Sequence, residues 1–219
     1  MIIELHHRLR DLWCSLTLAD DRKALASVLP FLNAESVDAM KIVGYPSDRL
    51  PAAIFALDGL ESLEFCQCPL LSGIPASLSR FAHLCELAFV DCPDFHDIMG
   101  ISELGSLRAL HIVNCASLDA VGGEFSACGQ LELLDLSHNP ALKQMDVSRL
   151  PKNIRILDLR GCFELDVEDL PDAAWPALVS LNAVDWTRSG TLPTDHVKGV
   201  SSKMRHLCTR RRGATAEAE

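Results

Sequence analysis

Aromatic side chains are scarce in this chain: Phe, Trp and Tyr make up 5% of its 219 residues, with a single tyrosine. Any core must therefore be aliphatic, and a 48% hydrophobic content is enough to build one, which excludes a disordered acidic tail. Long apolar runs are missing too. No stretch approaches the roughly 18 apolar residues of a membrane-spanning helix. The opening "MIIELHHRLRDLW" is interrupted by Glu4, His6, His7, Arg8 and Arg10, so it lacks the apolar core of a secretory leader. Glu4 and Asp11 argue against a mitochondrial presequence. These features imply an intracellular, cytoplasmic protein with reduced thiols, and they are compatible with an organelle such as the mitochondrion. Positive charge is in deficit, with 20 Lys and Arg against 30 Asp and Glu and a net charge of −10. That balance disfavours nucleic acid and anionic membranes as partners and favours a basic one. The GxSxG, HExxH and GxxxxGK[ST] signatures of hydrolases, zinc proteases and nucleotide-binding loops are absent.

Cysteine, by contrast, is plentiful. There are nine, an odd number, and none forms a Cys-x-x-Cys pair. Cys66 and Cys68 lie one residue apart in "LESLEFCQCP". Their meaning follows from a repeat. The apolar spacing L-x-x-L-x-L recurs in "VDAMKIVGY" from Val37, "LESLEFCQC" from Leu60, "LCELAFVDC" from Leu84 and "LRALHIVNC" from Leu107. It continues in "LELLDLSHN" from Leu131, "IRILDLRGC" from Ile154 and "LVSLNAVDW" from Leu178. The steps are 23, 24, 23, 24, 23 and 24 residues. The spacers repeat as well: Phe95, Leu118, Leu142 and Leu165 share the offset of Leu71, in a segment where Ile74, Leu78 and Phe81 also return at intervals. Residues alternating over L-x-L make a short strand buried on one face. One such unit cannot bury its leucines alone, but stacked units bury them in a continuous column.

From Val37 to about Trp186 the pattern resembles the leucine-rich repeat family, whose unit reads L-x-x-L-x-L-x-x-N/C-x-L. The period and "IPASL" are similar to its typical and plant-like classes. The resemblance implies an α/β fold: a right-handed solenoid, or horseshoe, with a parallel sheet on its concave face and 3₁₀ or irregular convex segments. It places Cys68, Cys92, Cys115, Asn139 and Cys162, with Tyr45 and Trp186, in the inward-turning Asn/Cys column. These residues are then a structural ladder. Ladder thiols in one row cannot easily surround an ion tetrahedrally, and because the chain turns inward after the strand, the resemblance puts Cys66 on the open face, opposite Cys68. No metal or cofactor is implied. The ubiquitin-ligase effectors of bacteria that carry such repeats need a separate catalytic domain, for which this chain has no room.

The chain thus divides into an N-terminal cap over 1–36, about seven repeats over 37–190, and a C-terminal cap helix with a basic and acidic tail over 191–219, all in one structural domain. Ile2, Leu5, Leu9, Leu12 and Leu16 recur at helical spacing and predict a helix over about 2–16. A second helix follows in "DDRKALASVLPFLN", ended by Pro30. Val197, Val200, Met204 and Leu207 predict the C-terminal helix. No F-box spacing is found ahead of the repeats.

Function is expected on the outward strand positions, offsets 2, 4, 6 and 7 from each repeat start. They bring Glu64, Glu86, Asp91, Asp135 and Asp158 together with Val90, Val113, Leu133, Ile156, His111, His138 and Arg160 on the concave face. Aliphatic groups exposed together suggest a protein interface, and the acids around them would steer a basic segment. The reading is a non-catalytic interaction module that binds a protein partner through a basic or extended segment. Two alternatives stand beside it. One is a small structural or assembly subunit of a large complex, contacting through its ends or convex side. The other is a metal-binding or hydrolytic protein using His111, Asp135 and Asp158 on adjacent strands, although no nucleophile and oxyanion donors assemble around them.

Overall fold

A computed structural model describes residues 2–9, 12–19, 37–47, 49–50, 52–122, 125–165 and 177–182. Each repeat opens with a strand: β3 (Val37–Val43), β4 (Ser62–Cys66), β5 (Glu86–Val90), β6 (Ala109–Val113), β8 (Leu133–Asp135), β10 (Ile156–Asp158) and β11 (Ser180–Asn182). All seven pair in parallel with their neighbours in chain order. The register is the one the repeat dictates. Lys41, Glu64, Ala88, His111, Asp135, Asp158 and Asn182 form one row across the sheet. Short 3₁₀ turns at Ala52–Ala56, Ala76–Arg80, Met99–Glu103 and Val147–Arg149 carry the chain back. Two further strands, β7 (Ala120–Val121) and β9 (Gln144–Met145), pair in parallel within these return segments. The described residues hold no α-helix, and among them no helix is long and apolar enough to cross a membrane.

Burial follows the repeat columns. Leu63, Leu87, Leu110, Leu134 and Leu157 are fully buried behind the sheet, as are Phe65, Phe89, Ile112, Leu136 and Leu159. Leu71, Phe95, Leu118, Leu142 and Leu165 close the core from the return segments. Because each side chain sits above its equivalent in the preceding coil, large groups stack. Phe89 lies 5.3 Å from Phe65 of the preceding coil at 7°, and 4.3 Å from Phe95 on the return segment of its own coil. On the return side the coils approach so closely that a Cβ on Gly73 would sit 2.6 Å from the Asp97 carbonyl oxygen, so only glycine fits.

Two expectations are corrected. The expected helix over 2–16 is instead a hairpin of β1 (Ile2–Leu9) and β2 (Leu12–Ala19). β1 runs antiparallel to β3, pairing Ile2 with Val43 and Met40 with Leu5, with an irregularity at His6 and His7. Ile3, Leu5 and Leu9, and then Leu12, Leu16 and Leu18, also fit a two-residue alternation. The bare edge of β3 offers a row of backbone donors and acceptors that only an extended segment can satisfy. The second correction concerns offset 7. Gly44, Gln67, Asp91, Asn114, His138 and Gly161 all have positive φ, between 52° and 74°. They are left-handed turn residues leaving the strand rather than strand positions. The expected second N-terminal helix, the C-terminal helix and tail, and Trp186 lie outside the described residues.

Candidate functional site

The Asn/Cys column is a bonding device. Cys68, Cys92, Cys115, Asn139 and Cys162 are fully buried. Each reaches the same carbonyl of the preceding coil: Cys68 Sγ to Ile42 at 3.7 Å, Cys92 Sγ to Phe65 at 3.7 Å and Cys115 Sγ to Phe89 at 3.7 Å. Asn139 Nδ2 donates to Ile112 at 2.7 Å and Cys162 Sγ to Leu136 at 2.9 Å. Burial pushes the Cys162 thiol up to about 11, and Cys92 rises to about 12, first through its hydrogen bond to Cys115. Such thiols are not nucleophiles at neutral pH. Cys66 lies half-buried on the other face, and burial raises its thiol as well.

The opposite, outward face carries the chemistry. Val90 sits beside Val113, and Leu133 beside Ile156, in register on neighbouring strands. Ile156 is 38% exposed and the other three are partly exposed. Charged groups frame them. Lys41 Nζ meets Glu64 Oε1 at 2.9 Å. Asn114 Nδ2 donates to Asp91 Oδ1 at 2.6 Å. His111 is bracketed, with Nδ1 3.4 Å from Asp135 Oδ2 and Nε2 3.7 Å from Glu86 Oε1. Asp135 also accepts the Ser137 N–H at 2.9 Å.

The sequence grouping of His111, Asp135 and Asp158 is therefore redrawn. Glu86, diagonal to His111, joins the histidine and Asp135, while Asp158 turns to Arg160. The guanidinium grips it through Nη2 at 2.7 Å and through Nε at 2.9 and 3.0 Å, and Asp158 is left only 6% exposed. A carboxylate so paired is spent on its own chain. His138 stands exposed at its turn with its ring over Gly161. Among the described residues no three His, Cys, Asp or Glu side chains converge as metal ligands. Among the described residues the ion-pair partners of His111 are the Asp135 and Glu86 carboxylates.

The hydrogen bond to Asp135 outweighs burial and raises the His111 pKa. Burial alone would raise Asp135, but the bonds from His111 and Ser137 leave its carboxyl below the usual range. His111 then stabilises the fold fully below about pH 6.5, and that contribution is lost as pH rises through its folded value. The Asp135 contribution is present above about pH 4 and lost as pH falls through its own lowered value. The melting temperature of the wild type should exceed that of His111→Gln most at about pH 5 to 6, with the gap closing toward about pH 8. A gap constant over that range would show that the ion pair contributes nothing.

Arg108, Glu132, Arg155 and Val179, at offset 1, also flank this face, and the reading of outward positions had omitted them. The sequence carries a signal for them: three of the four are charged and stand immediately ahead of the strand residues.

No family model matches this chain, and no curated protein matches it. Among solved structures, the leucine-rich repeat domain of the type III effector XopL is similar at 19% identity, covering 74% of this chain and 81% of that one with a TM-score of 0.36. At that identity and TM-score, the fold rests on the repeat spacing and the strand register.

Proposed function

We propose that this chain is a non-catalytic protein-interaction module whose partner lies across the outward face of the sheet. The observation that carries the reading is the register pairing of Val90 with Val113 and of Leu133 with Ile156 on an open surface. Two aliphatic pairs facing water, one on each side of the His111–Asp135 row, favour a covering partner. Glu64, Glu86, Asp91 and Asp135 surround them, so the central part of the face suits a basic or mixed polar–aliphatic segment. Seven strands spaced by about 4.8 Å span about 34 Å, which an extended segment of about ten residues covers. The inward columns hold the coils together and leave these outward residues free to vary in chemistry.

The test is the double substitution Val90→Asp with Val113→Asp. Both side chains point away from the core, so the melting temperature should stay within a few degrees of wild type, while capture of the native partner is abolished. Unchanged capture would sink the proposal. A structural-subunit role has its own observation: Leu70, Met99 and Phe163 are 55%, 62% and 51% exposed on the return segments. In that case a stoichiometric complex would resist salt and survive the double substitution.

A further inference from the structure

Where β6, β8 and β10 begin, and just before β11, Arg108, Glu132, Leu133, Arg155, Ile156 and Val179 enclose a shallow open depression of about 380 Å³. That is at the lower end of the volumes that hold a ligand. Its floor is aliphatic. Val179 is 49% exposed and Ile156 38%, with Leu133 beside Ile156 in register. Its rim is cationic. Glu132 is engaged by Arg155 at 3.1 Å, whereas the Arg108 guanidinium has no ion pair among the described residues. Among the described residues one positive charge is therefore left over beside apolar surface, on a chain whose net charge is −10.

The backbone here cannot take an added strand. The N–H groups of Glu132, Arg155 and Val179 already bond to the preceding coils at 2.9, 2.7 and 2.7 Å. Recognition must come from side chains. We propose that this depression is an anchor site for a partner segment in which an aliphatic residue adjoins a carboxylate. The aliphatic group covers Leu133, Ile156 and Val179, and the carboxylate pairs with Arg108 in a charge-assisted bond. The proposal rests on the reading of the outward face as an interaction surface and adds to it. The central rows ask for a basic segment and the depression, where the strands begin, for an acidic one, so the order of the two sets the direction in which a partner lies.

The probe is a hexapeptide of alternating leucine and glutamate, titrated into the full chain while the amide chemical shifts of Ile156 and Val179 are followed. A leucine–lysine hexapeptide serves as the control. The leucine–glutamate peptide is expected to move both signals saturably and the control to leave them in place. Arg108→Glu, with an unchanged melting curve, should weaken the acidic peptide by about tenfold or more. Signals that stay still with the acidic peptide, or an affinity untouched by Arg108→Glu, would overturn the anchor. If Val90→Asp with Val113→Asp still abolished partner capture, the interaction face would stand without it. Retained capture in that double variant alongside acidic-peptide binding would remove the central rows and keep the anchor.

Discussion

Asn139→Ala is expected to lower the unfolding free energy by about 3 to 5 kcal/mol. The amide makes three buried bonds at once. Oδ1 accepts the Cys115 N–H at 2.8 Å, and Nδ2 donates to the Ile112 and Leu136 carbonyls at 2.7 and 2.8 Å. Alanine orphans the Cys115 N–H and the Ile112 carbonyl in a site closed to water and leaves the Leu136 carbonyl to the Cys162 thiol alone, and each orphan costs on the order of 1 to 3 kcal/mol. Asn139→Cys should lose less than half as much. At the other ladder positions a thiol already reaches the same carbonyl and receives a backbone bond from the ladder residue before it, as Cys68 does from Tyr45 and Cys92 from Cys68. Urea denaturation measures both, read as a shift in midpoint at constant m-value. A loss under about 1 kcal/mol for the alanine variant would mean that the column packs but does not bond.

Phe89→Ala should cost about as much, 3 to 5 kcal/mol, for a different reason. The ring is fully buried and in contact with both Phe65 and Phe95. Truncation leaves a cavity in the middle of a stack whose coils depend on their neighbours, so the damage extends beyond one repeat. Phe89→Leu refills most of that volume and should retain more than half of the stability lost. Thermal and urea melts of the two variants side by side decide it. Equal losses would place the effect in the ring contacts rather than in the cavity.

The parallel sheet, its register and the columns facing the core were legible in the repeat, because a period of 23 or 24 residues leaves each leucine no place except above its equivalent. The N-terminal segment was not. Leu5, Leu9, Leu12 and Leu16 satisfy a helical and an extended spacing at once, and the choice is made by the unpaired edge of β3, which lies more than twenty residues downstream. The left-handed turn at offset 7 left a trace that was legible in hindsight: glycine at 44 and 161, with Asp91 and Asn114 between them, are the residues that tolerate positive φ. Gln67 and His138 hid it. At the site, the repeat placed His111 beside Asp135 correctly. It could not show that Arg160 would fold back onto Asp158 two residues before it, or that Glu86 would reach His111 diagonally, because both depend on side-chain torsions. The depression at Arg108 and Val179 was missed because the repeat formula treats offset 1 as filler, while the stacked coils turn it into a rim.

The central claim is that the outward face of the sheet is what the partner covers. Carboxylate footprinting of the chain recovered with its partner from the native source tests this most directly. Carbodiimide labelling, read by mass spectrometry, compares the free and bound chain. Glu64, Glu86 and Asp91 are predicted to lose labelling on binding, while Asp94 and Glu103 on the return segments keep it. Protection of Asp94 and Glu103 with Glu64, Glu86 and Asp91 still open would place the partner on the other side of the coil and contradict the account.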